Sequence, residues 1–494
     1  MYRLMLYCLI FFCAAALVLS FLGFLPFKPL NFLFSVLLLV LISWATNKAF
    51  ARIFNVPVNV ESAYITAFIL SLIITPLSSF NNFGYIWFLV MASVLATASK
   101  YILAINKKHI FNPAAFGVAI TAFTISQSAS WWVGILPMTP FVLIGGLLVA
   151  RKIQRFDLVL TFLAVSLIAI SFNFSKLADF IILKNVLVDS PILFFTFIML
   201  TEPLSTPPTR TLRIYYGALA GLMFAPQIHF GPYYSTPELA LLTANIFSYV
   251  VSPKFRLILK LKAKNQIAPD TYELTFTPDR PLKFKSGQYL EWTLGYTRPD
   301  SRGNRRYFTI ASSPTEKDIK MGVKFYPNSS SFKKSLLEMG VDKIIVASQL
   351  AGDFVLPKNK NQKLFFIAGG IGITPFRSMI KYMLDSDEKR QVVLFYSNKT
   401  FSDIVYTDIF DEAREKFGLK TVYTLTDSES ISMSWLGQKG LITEKMIRDE
   451  VPDYKERLFY ISGPRSMVIH FEDVLKKIGV KKRQIKTDFF PGYV

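Results

Sequence analysis

Cysteine and histidine are scarce in this 494-residue chain. Its two cysteines, Cys8 and Cys13, both sit in the first apolar run. A thiolate iron–sulfur cluster takes four ligands, so the chain carries none by itself. The three histidines, His109, His229 and His470, are scattered through the sequence, and a buried bis-histidine haem needs a pair on facing helices. Haem is therefore excluded. Acidic residues are also short, 34 against 55 Lys and Arg, giving a formal charge of +21. No nucleic-acid motif accompanies that excess, so it reads as membrane topology and attraction to a membrane surface.

Long apolar runs are missing beyond Lys254, although 52% of the whole chain is hydrophobic. Before Val251 such runs recur, each near the roughly 20 residues that cross a bilayer core. About ten spans are expected, beginning near Leu4, Leu30, Ala63, Tyr85, Pro113, Trp131, Leu158, Val186, Leu212 and Ala240. The first, from about Leu4 to Phe24, has no clear small-residue cleavage site and is expected to be retained. Basic residues cluster after the even spans: Lys48 and Arg52; Lys100, Lys107 and Lys108; Arg151, Lys152 and Arg155; Arg210 and Arg213; Lys254 and Arg256. The opposite loops offer little beyond Lys28, Lys176 and Lys184, so both termini are expected on the cytoplasmic side of a cell membrane. Few ionisable residues fall within the spans. Glu61, Asp189, Glu202 and Glu238 lie near span ends, and ion pumping does not follow from them.

Two turns stand out. In `IFNPAAFGVAIT`, Asn112 can cap a helix that Pro113 opens, and Ala114, Ala115 and Gly117 permit close approach. Either the helix simply packs on a neighbour, or its positive end holds a ligand or cofactor. `MLTEPLSTPPTR` is a stiff polar turn that lipid would not tolerate, so it packs on protein, water or ligand. With the ten spans, `NPAAFG` and `TEPLSTPPT` resemble the membrane flavin proteins of two assemblies, the sodium-pumping NADH:quinone oxidoreductase and the Rnf complex. The resemblance implies an electron-transferring flavin bundle over residues 1–251, with Asn112 and Pro113 at the flavin. Those proteins attach FMN through the threonine of a Ser/Asp-Gly-x-Thr type sequence. None is present here, which leaves non-covalent FMN or riboflavin.

From Arg256 the pattern becomes short alternating runs, `TYELTFTP`, `QYLEWTL`, `RYFTIASS` and `KMGVKFY`, which predict a small antiparallel barrel. After about Asn359, `KLFFIAGGIGITPFRSMIKYML` is a buried strand, a glycine turn and an amphipathic helix, and `QVVLFYS`, `KTVYTLT` and `RLFYISG` supply further strands of a parallel sheet. This predicts an α/β dinucleotide-binding domain. Arg306 can neutralise a phosphate, while Phe308 and Thr309 point to opposite faces of one strand. The serine run before `FKKSLLEMG` opens a helix where amides, Ser331 and Lys333 could hold a pyrophosphate. Gly369, Gly370 and Gly372 allow a tight turn, Thr374 can cap or hydrogen-bond, and Pro375 suits a first helical turn.

In this order `RRYFTIASSP`, `AGGIGITP`, `YISGPRSM` and the terminal `DFFPGY` closely resemble the ferredoxin-NADP reductase superfamily. The resemblance implies an FAD barrel over 253–356 and an NAD(P)-binding domain over 360–494. It implies FAD at Arg306, Tyr307, Phe308, Thr309, Ser331, Lys333 and Phe490, and NAD(P)H over Gly369, Gly370, Gly372, Thr374 and Pro375, with Gly463, Pro464 and Met467 near the nicotinamide. Thr309, Ser462 and Asp488 would flank the reacting centre. Ser462 stands where cysteine is common, and Asp488 where glutamate is more familiar. Ser397 and Lys399 could contact a 2′-phosphate or simply be solvated, and NADH is slightly favoured. The expected protein is a multi-pass flavoprotein that oxidises cytoplasmic NAD(P)H and passes electrons to a quinone or acceptor protein. Its alternatives are a redox-driven ion pump component and a reductase on a flavin-free anchor.

Overall fold

The computed structural model describes residues 2–54, 60–105, 108–153, 155–171, 186–203, 205–252, 256–296, 299–300, 303–427, 429, 431 and 435–490, with backbone alone at Tyr2, Lys108, Phe230, Phe489 and Phe490. Lys107, Lys176, Lys184, Lys254 and the last residues of `DFFPGY`, all invoked above, lie outside the described residues. The chain divides into two compact units, Met1–Phe255 and Arg256–Val494.

The first unit is helical: α1 (Tyr2–Phe21), α2 (Pro29–Ile53), α3 (Val60–Ile73), α4 (Phe83–Ile102), α5 (Pro113–Ile125), α6 (Thr139–Ile153), α7 (Phe156–Ser171), α8 (Ile192–Phe194, running into a π turn Phe195–Met199), α9 (Arg210–Met223) and α10 (Pro237–Val251). Two tiny hairpins interrupt them, β1 (Ala104–Ile105) with β2 (Lys108–His109) and β3 (His229–Phe230) with β4 (Tyr233–Tyr234). The apolar residues are on the outside as well as within. Leu30, Leu37, Leu41, Val18 and Leu160 are all exposed, whereas Asn31, Asn47, Thr97 and Thr121 are buried, and Ser43 meets Ser93 inside the bundle at 2.7 Å. That inversion suits helices in lipid, where buried polar groups bond across helices.

Among the described residues, four helical stretches are long and apolar enough to cross a membrane: Arg3–Phe21, Pro29–Ile53, Phe83–Ile102 and Leu136–Ile153. Four others, Val60–Ile73, Pro113–Ile125, Phe156–Ser171 and Pro237–Val251, are apolar but shorter. The 13 residues of α5 rise only about 20 Å, short of a core of about 30 Å. Helices begin near most of the expected span starts, Pro113 among them, but several are shorter than a bilayer core requires.

The helices also repeat. In each half, two helices lead to a third that ends on a related turn, `TPLSS` after α3 and `TEPLST` after α8; a fourth helix follows, then one opened by a capped proline, Asn112-Pro113 or Thr236-Pro237. The equivalent helices α1 and α6 pack together, as do α5 and α10.

The second unit opens with an antiparallel sheet ordered β8-β7-β10-β5-β6-β9, made of β5 (Arg256–Ala268), β6 (Thr271–Pro278), β7 (Tyr289–Thr293), β8 (Arg305–Thr309), β9 (Ile319–Lys324) and β10 (Ile344–Ala351). In β5, Leu257, Leu259 and Leu261 point inward while Ile258 faces out, the period-two signature of a half-buried strand. Ala311 N donates to Lys320 O at 2.8 Å, which draws the β8 and β9 edges together and curls the sheet. Helix α11 (Ser331–Glu338) lies between β9 and β10 in the chain.

A parallel sheet follows, ordered β14-β13-β12-β11-β15-β16: β11 (Leu364–Gly369), β12 (Val392–Asn398), β13 (Lys420–Leu425), β14 (Gln438–Lys439), β15 (Leu458–Pro464) and β16 (Ile485–Phe490). Helices α12 (Thr374–Asp385), α13 (Thr407–Phe417), α14 (Glu444–Glu450) and α15 (Arg465–Lys477) accompany it. All six residues of β11 are buried, as a strand covered on both faces requires. Arg377 of α12 bonds Ala311 O at 3.1 Å and clamps Glu316 with two nitrogens, fastening the parallel-sheet half to the curled sheet.

Candidate functional site

The glycine turn sits where β11 gives way to α12, at the carboxyl end of the parallel sheet. A Cβ on Gly372 would lie 2.4 Å from Ser462 O and 2.7 Å from Gly463 Cα, so only glycine lets this turn pass beneath the end of β15. Gly370 adopts φ +51° with open space above it. Gly369 packs on Met467 and Pro464, whose atoms would lie 2.3 Å and 3.2 Å from an added Cβ. Thr374 is buried with Oγ1 donating to Ile371 O at 3.3 Å, and Pro375 starts α12. The predicted glycines, Pro464 and Met467 thus form one surface.

Three buried polar groups meet beside it. Ser462 and Asp488 are register partners on β15 and β16, so their side chains share a face. Asp488 is also close to Thr309 of the curled sheet. Thr309 Oγ1, Ser462 Oγ and Asp488 Oδ2 are each buried without a formed hydrogen bond among the described residues. Such atoms are costly unless something else uses them. Burial pushes the Asp488 carboxyl up to about 7, the Thr309 hydroxyl opposing the shift.

Phosphate-type chemistry collects at the start of α11. Ser330 caps this eight-residue helix by accepting from Lys333 N at 3.3 Å. Arg306 reaches across from β8 with its guanidinium 5.3 Å from the Phe332 ring centre, and Phe308 packs on the same ring. Burial and the neighbouring Arg306 push Lys333 down to about 8. Two neighbouring cations thus stand beside helix amides, an arrangement suited to an anion, although the Lys333 ammonium now donates to Lys324 O at 2.6 Å. Part of it is taken by the chain's own carboxylate: Asp300 Oδ2 accepts from Ser331 N at 3.1 Å, and Oδ1 lies 3.7 Å from Arg306 Nη2. Tyr296 OH and Ser331 Oγ are 3.0 Å apart. Asp300 and Tyr296 escaped the sequence reading because their loop has no periodicity. Tyr307 is the outlier of its segment, half exposed with its hydroxyl on Glu291 at 2.8 Å. Phe490 pairs by backbone with Pro464, and its side chain lies outside the described residues.

Asn112 and Pro113 belong to the other unit. Asn112 Oδ1 accepts from Ala115 N at 3.2 Å, the cap that the sequence predicts. Its amide side chain donates to Glu202 Oε2 at 3.0 Å, its backbone N to Asn245 Oδ1 at 2.7 Å, and Asn245 in turn donates to Tyr216 at 3.0 Å. The two singled-out turns, 90 residues apart, are therefore one buried polar junction. Among the described residues, no cluster of metal-ligating side chains occurs.

Comparison with known proteins follows the same division. Residues 134–256 match the NQR2, RnfD, RnfE family, and residues 366–473 match the oxidoreductase NAD-binding domain. A flavohemoprotein of Candida albicans is 28% identical over 239 residues, 46% of this chain and 58% of its own length. A glycine betaine monooxygenase reductase subunit of Chromohalobacter salexigens is 28% identical over 219 residues, 42% of this chain and 57% of its own. The chain thus spans a little over half the length of these curated relatives. An Amycolatopsis cytochrome P450 reductase, GcoB, aligns at TM-score 0.43 and 22% identity, covering 48% of this chain and 70% of that one.

Proposed function

We propose that the chain is a membrane-bound flavoprotein oxidoreductase that oxidises cytoplasmic NAD(P)H at FAD and delivers electrons through its helical unit to a quinone or an acceptor protein. The observation that carries this reading is the convergence of Thr309, Ser462 and Asp488 beside the glycine turn, with Oγ1, Oγ and Oδ2 buried and not geometrically hydrogen-bonded among the described residues. Bound FAD would accept a hydride from a nicotinamide held against it, a step that proximity makes effectively unimolecular. The chain's own part is placement. Arg306, Lys333 and the first amides of α11 suit a diphosphate, and displacing the Asp300 carboxylate would open that seat. Gly369, Gly370 and Gly372 keep side chains away from a second nucleotide, and Asp488, raised to about 7, is about half protonated near neutral pH.

The first unit is read as about ten membrane segments, some of them short, with both ends of the chain cytoplasmic. Asn112 and Pro113 would then line a non-covalent FMN or riboflavin. A second reading, a flavin-free anchor, draws support from the same junction, since Glu202 and Asn245 already serve the start of α5. Denaturing extraction of the purified full chain separates the two. FMN or riboflavin beside FAD supports the carrier, and FAD alone supports the anchor.

A further inference from the structure

One strongly charged surface is left unused by this account. Helix α15 ends on Lys476 and Lys477, and after Gly479 and Val480 the chain turns through Lys481, Lys482 and Arg483 into β16. All five cations are exposed. The turn is rigid, because Gln484 Nε2 donates to Lys455 O at 2.7 Å and Arg457 O at 3.3 Å, so the charges are displayed by the fold. A helix dipole accounts for the first two cations but not for the three beyond the helix. Local acids do not neutralise the group. Asp453 and Glu456 are engaged with Lys363 and Arg457, and of the five only Lys476 has an acidic partner among the described residues, Asp473 at 3.4 Å. Nor does the patch serve a nucleotide. It lies at the amino end of β16, while Asp488 and the glycine turn lie toward the carboxyl ends of the sheet.

We propose that this corner of the α/β half, Lys477 with Lys481, Lys482 and Arg483, docks on the anionic phospholipid headgroups of the membrane that holds the helical unit. The inference rests on the membrane reading of residues before Val251. A polybasic surface attached to a bilayer-embedded segment meets lipid phosphates at high effective concentration, and each cation near an anionic leaflet adds attraction. An acidic protein partner would need to compete with that permanent neighbour.

The test is hydrogen exchange on the full chain in nanodiscs, following peptides that cover residues 474–486. Discs of phosphatidylcholine alone are compared with discs containing phosphatidylglycerol, for the natural chain and for the combined Lys477→Gln, Lys481→Gln, Lys482→Gln and Arg483→Gln variant. In anionic discs, exchange of the natural chain slows about fivefold or more, the equivalent of one cation's attraction, and the slowing disappears in the variant and in high salt. Equal exchange in both discs, or equal protection in detergent as from a protein contact, overturns the proposal. Failure of the chain to enter discs at all would instead remove the membrane reading beneath it.

Discussion

At the scale of single residues the account turns on charge. Arg306 is the cation that reaches α11 from another strand, so Arg306→Ala should lower FAD affinity by about tenfold or more, the usual loss for one charge-assisted contact. Equilibrium dialysis with FAD checks it, and NADH oxidation should fall in parallel. Lys333 is pushed down to about 8, so it loses its charge within the working range. FAD affinity is expected to weaken as the pH rises through 8 in the natural chain and to stay flat in Lys333→Arg, where the charge persists. Asp488 is shifted the other way, upward. Its carboxyl is raised to about 7, so it binds its proton more tightly folded than unfolded. Its contribution to stability is therefore complete below about pH 4 and lost as the pH climbs through 7. If Asp488 holds a proton during turnover, the rate falls along the same limb, and Asp488→Asn should flatten that limb of the pH–rate profile.

Whole elements differ in how far the sequence discloses them. Strand β11 and its turn were legible because an all-apolar run followed by glycines has few other uses, and Gly372 shows the physical reason: β15 passes where a side chain would stand. Gly372→Ala should cost about 1–3 kcal/mol of stability by chemical denaturation and raise KM for NADH, whereas Gly370, facing open space, constrains the turn mainly through its positive φ. The cap on α5 was equally legible, since Asn-Pro before small residues admits little else. Its partner was not, because Glu202 comes 90 residues later and only packing unites them. Ser330 illustrates a smaller shift: the sequence pointed to Ser331 and Lys333, while the residue before them forms the cap. The lengths of the spans were the least legible: helices start close to most of the expected starts, yet α3 and α5 hold only 14 and 13 residues, and four helical stretches among the described residues are long and apolar enough to cross a membrane. The related turns `TPLSS` and `TEPLST` carried the internal repeat in plain view, yet it becomes convincing only when the equivalent helices are found packed together.

Across the whole molecule, composition and architecture agree. Basic residues follow the ends of several apolar helices, and the glycine turn and the paired cations Arg306 and Lys333 belong to one unit, Arg256–Val494. Electron entry through flavin in that unit is the central claim. It is tested most directly by purifying the full chain, quantifying released flavin per chain, and recording the visible spectrum anaerobically before and after NADH. The account predicts about one FAD per chain, bleached by NADH and retained in smaller amount by Arg306→Ala. A natural chain that binds no FAD, or whose FAD is left oxidised by NADH and NADPH alike, would contradict it.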